Sequence, residues 1–338
     1  MKFQKTFIIF ITRTCSHKFC KHRRIIMNKQ KCAVIGCGAV GATIAFALTQ
    51  RSLFSELVLI DSNTSKAEGE AMDLSHGLPF LHPMKVYAGD YSDISDCFLI
   101  IITAGTAQKP NETRLDMVHK NVEIFKSIIP NITKYNNDSI ILVVSNPVDI
   151  LTYCTIKLSG YPKNRVLGSG TVLDTARLKY LLSENLCVDS RSIHAFIIGE
   201  HGDSELAVWS SANVSGIDIE DFHGLCASCR DVSFNEIYED VRDSAYEVID
   251  RKGATYYGIA MAVMRIVSSI IRDEHSVLPV SCYLDGHYGL NNLCIGVPAI
   301  VGSSGIEKVL DIPLSKEESE RLTNSVRTLK NVICELKI

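Results

Sequence analysis

The sequence predicts an α/β fold built on a doubly wound parallel sheet, on three observations. Short apolar runs of strand length recur between stretches of helical periodicity. The first run passes through closely spaced glycines straight into an Ala-rich helix. A second run ends in an acid, Asp61, twenty residues beyond the last of those glycines.

In chain order, "KCAVIGCGAVGATIAFAL" gives a strand, the glycines Gly36, Gly38 and Gly41, and a helix. Such glycines permit a tight turn, close approach of backbone to a pyrophosphate and close packing of helix on strand, while the helix N-terminus supplies N–H groups and partial positive charge. "ELVLID" is the next strand. A carboxylate at its end accepts the hydroxyls of an adenosine ribose and repels a 2′-phosphate, which favours NAD over NADP. Read alone, Asp61 is a solvated strand end, but the order of strand, glycines, helix, strand and acid makes this a Rossmann-type nucleotide half. Further strands follow at 84–88 ("MKVYA"), 97–105 ("CFLIIITAG") and 139–147 ("SIILVVSNP").

The run Leu99–Ile102 is unbroken and apolar, as suits a strand buried on both faces. Ligands in open α/β sheets bind beyond the carboxyl ends of the strands, so the loop carrying Gln108 and Arg114 is expected to border a site. After a strand-like "RVLGSG" comes "TVLDTARLKYLL", which sets Asp174 and Arg177 three apart on one helix face. By itself that is a surface ion pair, worth little. "IHAFIIGEHGDSELAVW" then holds His201 in a glycine-flanked turn after the apolar run Ala195–Ile198. Imidazole titrates near neutrality, so His201 is a candidate general acid and base, with Asp174 the candidate carboxylate that fixes its tautomer. The tail opens with a Ser315 to Glu318 capping box and continues with Leu322, Val326, Leu329 and Ile333 at helical spacing, a long amphipathic helix expected to pack on the second lobe.

Composition excludes other classes. A net charge of −3 over 338 residues, without a basic stripe in the body of the chain, argues against nucleic acid as a partner. No apolar run reaches about 18 residues, which argues against a membrane span. Twelve scattered cysteines read as reduced thiols; Cys226 and Cys229 have redox or zinc spacing, but without a second pair no metal site is expected. Residues 1–26 hold seven Lys or Arg and no acid, and Met27 precedes the first strand directly. That segment is expected to be an upstream extension, disordered or a misassigned start, with an organellar transit peptide as the alternative.

Six motifs taken in order, "GCGAVG", "AGTAQKPNETR", "VSNPVDILTY", "GSGTVLDTAR", "IIGEHGD" and "AYEVIDRKGATYYGIA", make the chain resemble the L-lactate and malate dehydrogenases, most closely the bacterial L-lactate type. The resemblance runs from about Asn28 to the C-terminus. It implies a nucleotide domain over 27–168, a mixed α+β substrate and catalytic domain over 169–338, NAD as cofactor and a cytoplasmic homotetramer. By the same resemblance, His201 would protonate the ketone of pyruvate as hydride arrives from NADH, and Asp174 would stabilise the imidazolium. Arg177 would grip the substrate carboxylate, and Arg114 would swing in to polarise the carbonyl. Asn146 would bond the substrate oxygen near the nicotinamide, Thr255 would line the substrate pocket, and Ile259 would lie against the nicotinamide. Val40, Lys66, Ala104 and Gly105 would complete the cofactor contacts.

Gln108, neutral where the malate enzymes carry arginine, would select pyruvate and lactate over oxaloacetate and malate. A histidine and an arginine bind fructose 1,6-bisphosphate in allosteric bacterial relatives; His194 matches the first, but Lys179 stands in place of the second, so a weakened effector site is expected. Two rival readings stay open: a malate or other 2-hydroxyacid dehydrogenase, and a non-enzymatic dinucleotide-binding protein that keeps only the fold.

Overall fold

A computed structural model describes residues 27–106, 114–225 and 233–336, except for the side chain of Arg114. Six parallel strands carry the first half: β1 (Asn28–Ile35), β2 (Glu56–Ile60), β3 (Lys85–Ala88), β4 (Cys97–Ile102), β5 (Ile140–Val143) and β6 (Val166–Gly168). They stand in the order β3-β2-β1-β4-β5-β6. Every residue of β4 and β5 is buried, because helices cover both faces of the sheet. Each fully buried isoleucine of β4 contributes about 2 kcal/mol as an upper figure.

The helices of this half are α1 (Ala39–Arg51), α2 (Thr64–Gly77), α3 (Arg114–Tyr135) and α4 (Val148–Ser159). All residues from Val148 to Ile156 are buried, so α4 is a core helix rather than an amphipathic one. The strands are shorter than their apolar runs suggest. β4 stops at Ile102 and β5 at Val143, and the segments expected to extend them, Thr103–Gly105 and Val144–Pro147, bend away as loops at the carboxyl edge.

The second half begins with α5 (Val172–Leu186) and four two-residue strands, β7 (Ile193–His194), β8 (Ile197–Ile198), β9 (Leu206–Ala207) and β10 (Asn213–Val214). Then come β11 (Ile217–Asp218), α6 (Ile219–Leu225), α7 (Phe234–Lys252) and α8 (Tyr257–Arg272). Three antiparallel strands follow, β12 (Ser276–Asp285), β13 (Asn291–Gly302) and β14 (Gly305–Val309), and the chain closes with α9 (Lys316–Leu336). β12 joins β6 through the single pair Ser281 and Gly168, which makes one nine-stranded sheet of the two halves. A separate apolar cluster under α5, β7 and α7 gives the second half its own core.

The capping box of α9 forms as its sequence suggests: Glu318 N donates to Ser315 Oγ and Ser315 N donates to Glu318 Oε2. Its apolar face, however, touches β9, β13 and α4, so it packs on both halves rather than on the second alone.

Candidate active site

The nucleotide cavity is shaped by glycines. Gly36 has φ +102°, and a Cβ there would lie 2.5 Å from Ala104 N. A Cβ on Gly41 would lie 1.9 Å from the Gly36 carbonyl, so only glycine lets α1 pack this closely on the turn after β1. Beside Gly38, the N-cap of α1, there is open space; no side chain caps the helix and no acid stands in its first turn. Free N–H groups and the positive helix end there suit a phosphate anion.

At the end of β2, the Asp61 carboxylate accepts from Cys37 N at 2.6 Å and Asn63 N at 2.9 Å, which clamps it beside the glycine turn. Gly36, Gly38, Asp61, Lys66, Ala104 and Gly105 all border one cavity of about 620 Å³. Cradle, helix end and acid fit a dinucleotide. Val40, in the first turn of α1, does not line the cavity.

A second cavity, of about 400 Å³, opens where α3, the loop before α4, α5, α7 and the turn after β8 converge. Asn146, Asp174, Arg177 and His201 border it, as do Glu205 and Arg242. Asp174 is 2% exposed, and its two oxygens divide the work. Oδ2 meets His201 Nδ1 at 2.7 Å, and Oδ1 accepts from Arg177 Nη1 at 2.6 Å. The Asp174–Arg177 pair is therefore not the exposed pair that its spacing alone implies. Burial works against charge on Asp174, but the adjoining His201 and Arg177 hold its carboxyl below the ordinary carboxylate range. Burial likewise opposes charge on His201, yet the Asp174 carboxylate beside it pushes it up to about 9.

Three further residues, unread in the sequence, hold the histidine turn. Asp149 on α4 is 1% exposed; it accepts from His201 N at 2.8 Å and from Ser281 Oγ at 2.5 Å. Burial pushes Asp149 up to about 6. Ser325 of α9 accepts from Glu200 N at 2.7 Å. Gly199 and Gly202, at φ +101° and +154°, supply the backbone turn that β-carbons would resist. An aspartate inside the apolar run "VDILTYCTI" was the one available signal for Asp149, since a buried acid needs partners. The third, Glu205, lies 5% exposed beside Asp174 and His201.

Some expected neighbours are not brought in. Thr255 and Ile259 border neither cavity. Helix α7 lines the substrate side with Arg242, Ala245, Tyr246 and Ile249, one helical face, and then stops at Gly253, whose φ of +84° turns the chain away before Thr255. Lys179, half-buried on α5, and the exposed His194 on β7 border neither cavity, although their elements pack together. Gln108, residues 1–26 and the Cys226–Cys229 pair lie outside the described residues.

Two family models match the chain: "lactate/malate dehydrogenase, NAD binding domain" over residues 30–168 and "lactate/malate dehydrogenase, alpha/beta C-terminal domain" over 171–337. An L-lactate dehydrogenase of Acetivibrio thermocellus is 55% identical over 310 residues, which cover 91% of this chain and 98% of that protein. A crystal structure of a lactate dehydrogenase from a Medee basin deep-sea metagenome library has a TM-score of 0.89 at 43% identity, covering 92% of this chain and all of that one. The ligand-bound minor L-lactate dehydrogenase of Enterococcus mundtii has a TM-score of 0.88, also at 43% identity, over 91% and 98% of the two chains.

Proposed function

Because this chain belongs to the lactate/malate dehydrogenase family, we propose that it is an NAD-dependent L-lactate dehydrogenase, reducing pyruvate to L-lactate and reversing the reaction. The observation that carries this reading is the His201–Asp174–Arg177 cluster at 2.7 and 2.6 Å, opening into a cavity with Asn146 on its wall. The relatives named above are lactate dehydrogenases, which supports the choice of substrate. We assign residues 27–168 to the cofactor and 169–338 to the substrate and catalysis.

NAD would sit in the glycine cradle, with its ribose on Asp61, and when bound it supplies or accepts the hydride. The protein's own part is the proton and the grip on the acid. His201 Nδ1 is committed to Asp174, and Nε2 makes no hydrogen bond among the described residues, so it is the atom that gives a proton to the ketone oxygen or takes one from the alcohol. Asp174 stays anionic and stabilises the imidazolium between those events. Arg177 keeps one edge on Asp174 and has further donors for the substrate carboxylate. Asn146 adds a neutral hydrogen bond. By the resemblance, Arg114 would polarise the carbonyl and Gln108 would meet the far end of the substrate.

A neutral amide there leaves the methyl group of pyruvate unopposed and the second carboxylate of oxaloacetate without a cation, a cost of several kcal/mol. The finer parts of the reading are a homotetramer, a cytoplasmic setting in keeping with free thiols such as Cys32 and Cys97, and weak binding of fructose 1,6-bisphosphate at Lys179 and His194. No helix among the described residues is long and apolar enough to cross a membrane. The test is steady-state NADH oxidation with pyruvate, oxaloacetate and 2-oxoisocaproate in parallel. Pyruvate is expected to give the highest kcat/KM, and Gln108→Arg to move the preference to oxaloacetate. A native preference for oxaloacetate would replace the lactate reading with the malate one, and failure to turn over any 2-keto acid would defeat both.

A further inference from the structure

Glu205 has no part in the mechanism above, yet it is a carboxyl group, 5% exposed, on the wall of the substrate cavity. One ligating atom from each of Glu205, Asp174 and His201 lies within 4.8 Å of the others. The Glu205 backbone is well held: its N–H donates to the Gly202 carbonyl, and its carbonyl accepts from Tyr238 Oη. The carboxyl itself makes no hydrogen bond or ion pair among the described residues, while Asp174 takes both the His201 imidazole and one Arg177 nitrogen.

Charged and titratable groups face it from three sides. Helix α5 presents Asp174 and Arg177, the histidine turn presents His201 and Asp203, and α7 presents Tyr238 and Arg242. Two carboxylates in so small and dry a space cannot both ionise at low cost, and the one with the better partners keeps the charge. That one is Asp174.

We propose that Glu205 sets the charge of the substrate cavity: it enters the catalytic cycle as a neutral carboxylic acid, and its ionisation bars the anionic keto acid. The idea rests on the function proposed above and deepens it by adding a specificity-determining residue to the same site. With Glu205 neutral, His201 protonated, Asp174 ionised and Arg177 charged, and with Asp203 and Arg242 cancelling each other, the groups bordering the cavity carry one net positive charge, which matches the single negative charge of a monocarboxylate. Ionised Glu205 would cancel that charge and place a second anion in the path of the substrate carboxylate. Burial, with Asp174 next in weight, pushes Glu205 up to about 9, so the neutral form prevails at neutral pH.

The experiment measures kcat and KM for pyruvate from about pH 6 to about pH 10, on the full chain with NADH. Two protons, on His201 and Glu205, must both be in place for the anion to bind. The wild-type kcat/KM is therefore expected to fall more steeply than tenfold per pH unit at the alkaline end, with most of the loss in KM. Glu205→Gln keeps the neutral shape. Its kcat and KM should stay within about threefold of wild type near pH 7, and its alkaline fall should flatten to at most about tenfold per unit. NADH affinity, which depends on the other cavity, reports whether the variant is folded, and Glu205→Met serves as the second neutral variant if the amide is not tolerated.

A wild-type fall limited to tenfold per unit overturns the proposal without recourse to any variant. So does a folded neutral variant with the wild-type slope, or a variant whose KM near pH 7 changes more than about tenfold, since Glu205 would then already be ionised there. Each of these outcomes leaves pyruvate turnover intact, and with it the proposed function. Absence of turnover with any 2-keto acid would sink both readings.

Discussion

Replacing Asp174 with asparagine keeps the size of the side chain at the centre of the site and removes its charge. The effect can be worked from His201, which is pushed from an ordinary 6.5 up to about 9 despite burial that pulls the other way. At about 1.4 kcal/mol per tenfold change, the folded site favours the imidazolium by about 3 kcal/mol. Asp174, at 2.7 Å, is the largest source of that preference. Without its charge, burial dominates and His201 should titrate below 6.5. Near pH 7 the proton donor is then largely absent, and kcat/KM for pyruvate is expected to fall about 100-fold.

Arg177 also loses its anchor, so KM should rise along with the fall in kcat. The assay is kcat/KM against pH, with NADH binding followed by fluorescence as a control that should not change, because Asp174 does not border the nucleotide cavity. The diagnostic result is an alkaline limb displaced downward by more than one pH unit. A variant that keeps the wild-type limb and loses less than about threefold in rate would refute the view that Asp174 acts through its charge on His201.

Asp149→Ala would strand two buried donors, His201 N–H and the Ser281 hydroxyl, and is expected to cost about 3 kcal/mol of stability in chemical denaturation as well as lowering kcat; an unchanged midpoint would contradict the anchoring role given to Asp149. Asp61→Ser removes the clamped carboxylate at the end of β2, and the ratio of kcat/KM for NADH over NADPH should narrow by at least about tenfold, a change that an Asp61 remote from the ribose would not produce. Thermal stability should also depend on pH. His201 and Glu205 both have folded values raised to about 9, from 6.5 and 4.5, so each binds its proton more tightly in the folded chain. Their contributions are complete below those ordinary values and are lost as the pH rises toward 9. The melting temperature, read by calorimetry, should drop on the order of 5 °C between pH 6.5 and pH 9, whereas a flat profile would mean that these groups are not shifted by folding.

Much of the nucleotide half could be read from sequence because its determinants are local. A buried parallel strand announces itself as an unbroken apolar run, as in Leu99–Ile102. The glycine turn does so through spacing, since Gly36 and Gly41 are needed where their own backbones meet within a few residues. His201 and Asp174 were legible as residue types suited to proton transfer, and the structure places them 2.7 Å apart although 27 residues separate them. Where strands stop was less legible, because hydrophobicity continues past Ile102 and Val143 after the pairing has ended.

Tertiary structure alone decided what surrounds the histidine. Asp149 comes from α4, Ser325 from α9 and Ser281 from β12, elements that meet only because β12 adds to the edge of the parallel sheet at Gly168. Glu205 lies four residues from His201 in the chain, yet nothing local distinguishes it from the solvated acids around it. Its character comes from being nearly dry beside an aspartate that already holds His201 and Arg177. Burial and charge competition depend on which distant groups arrive at the same place, and a carboxyl group becomes a neutral acid only after the fold has removed its water and given its partners to another.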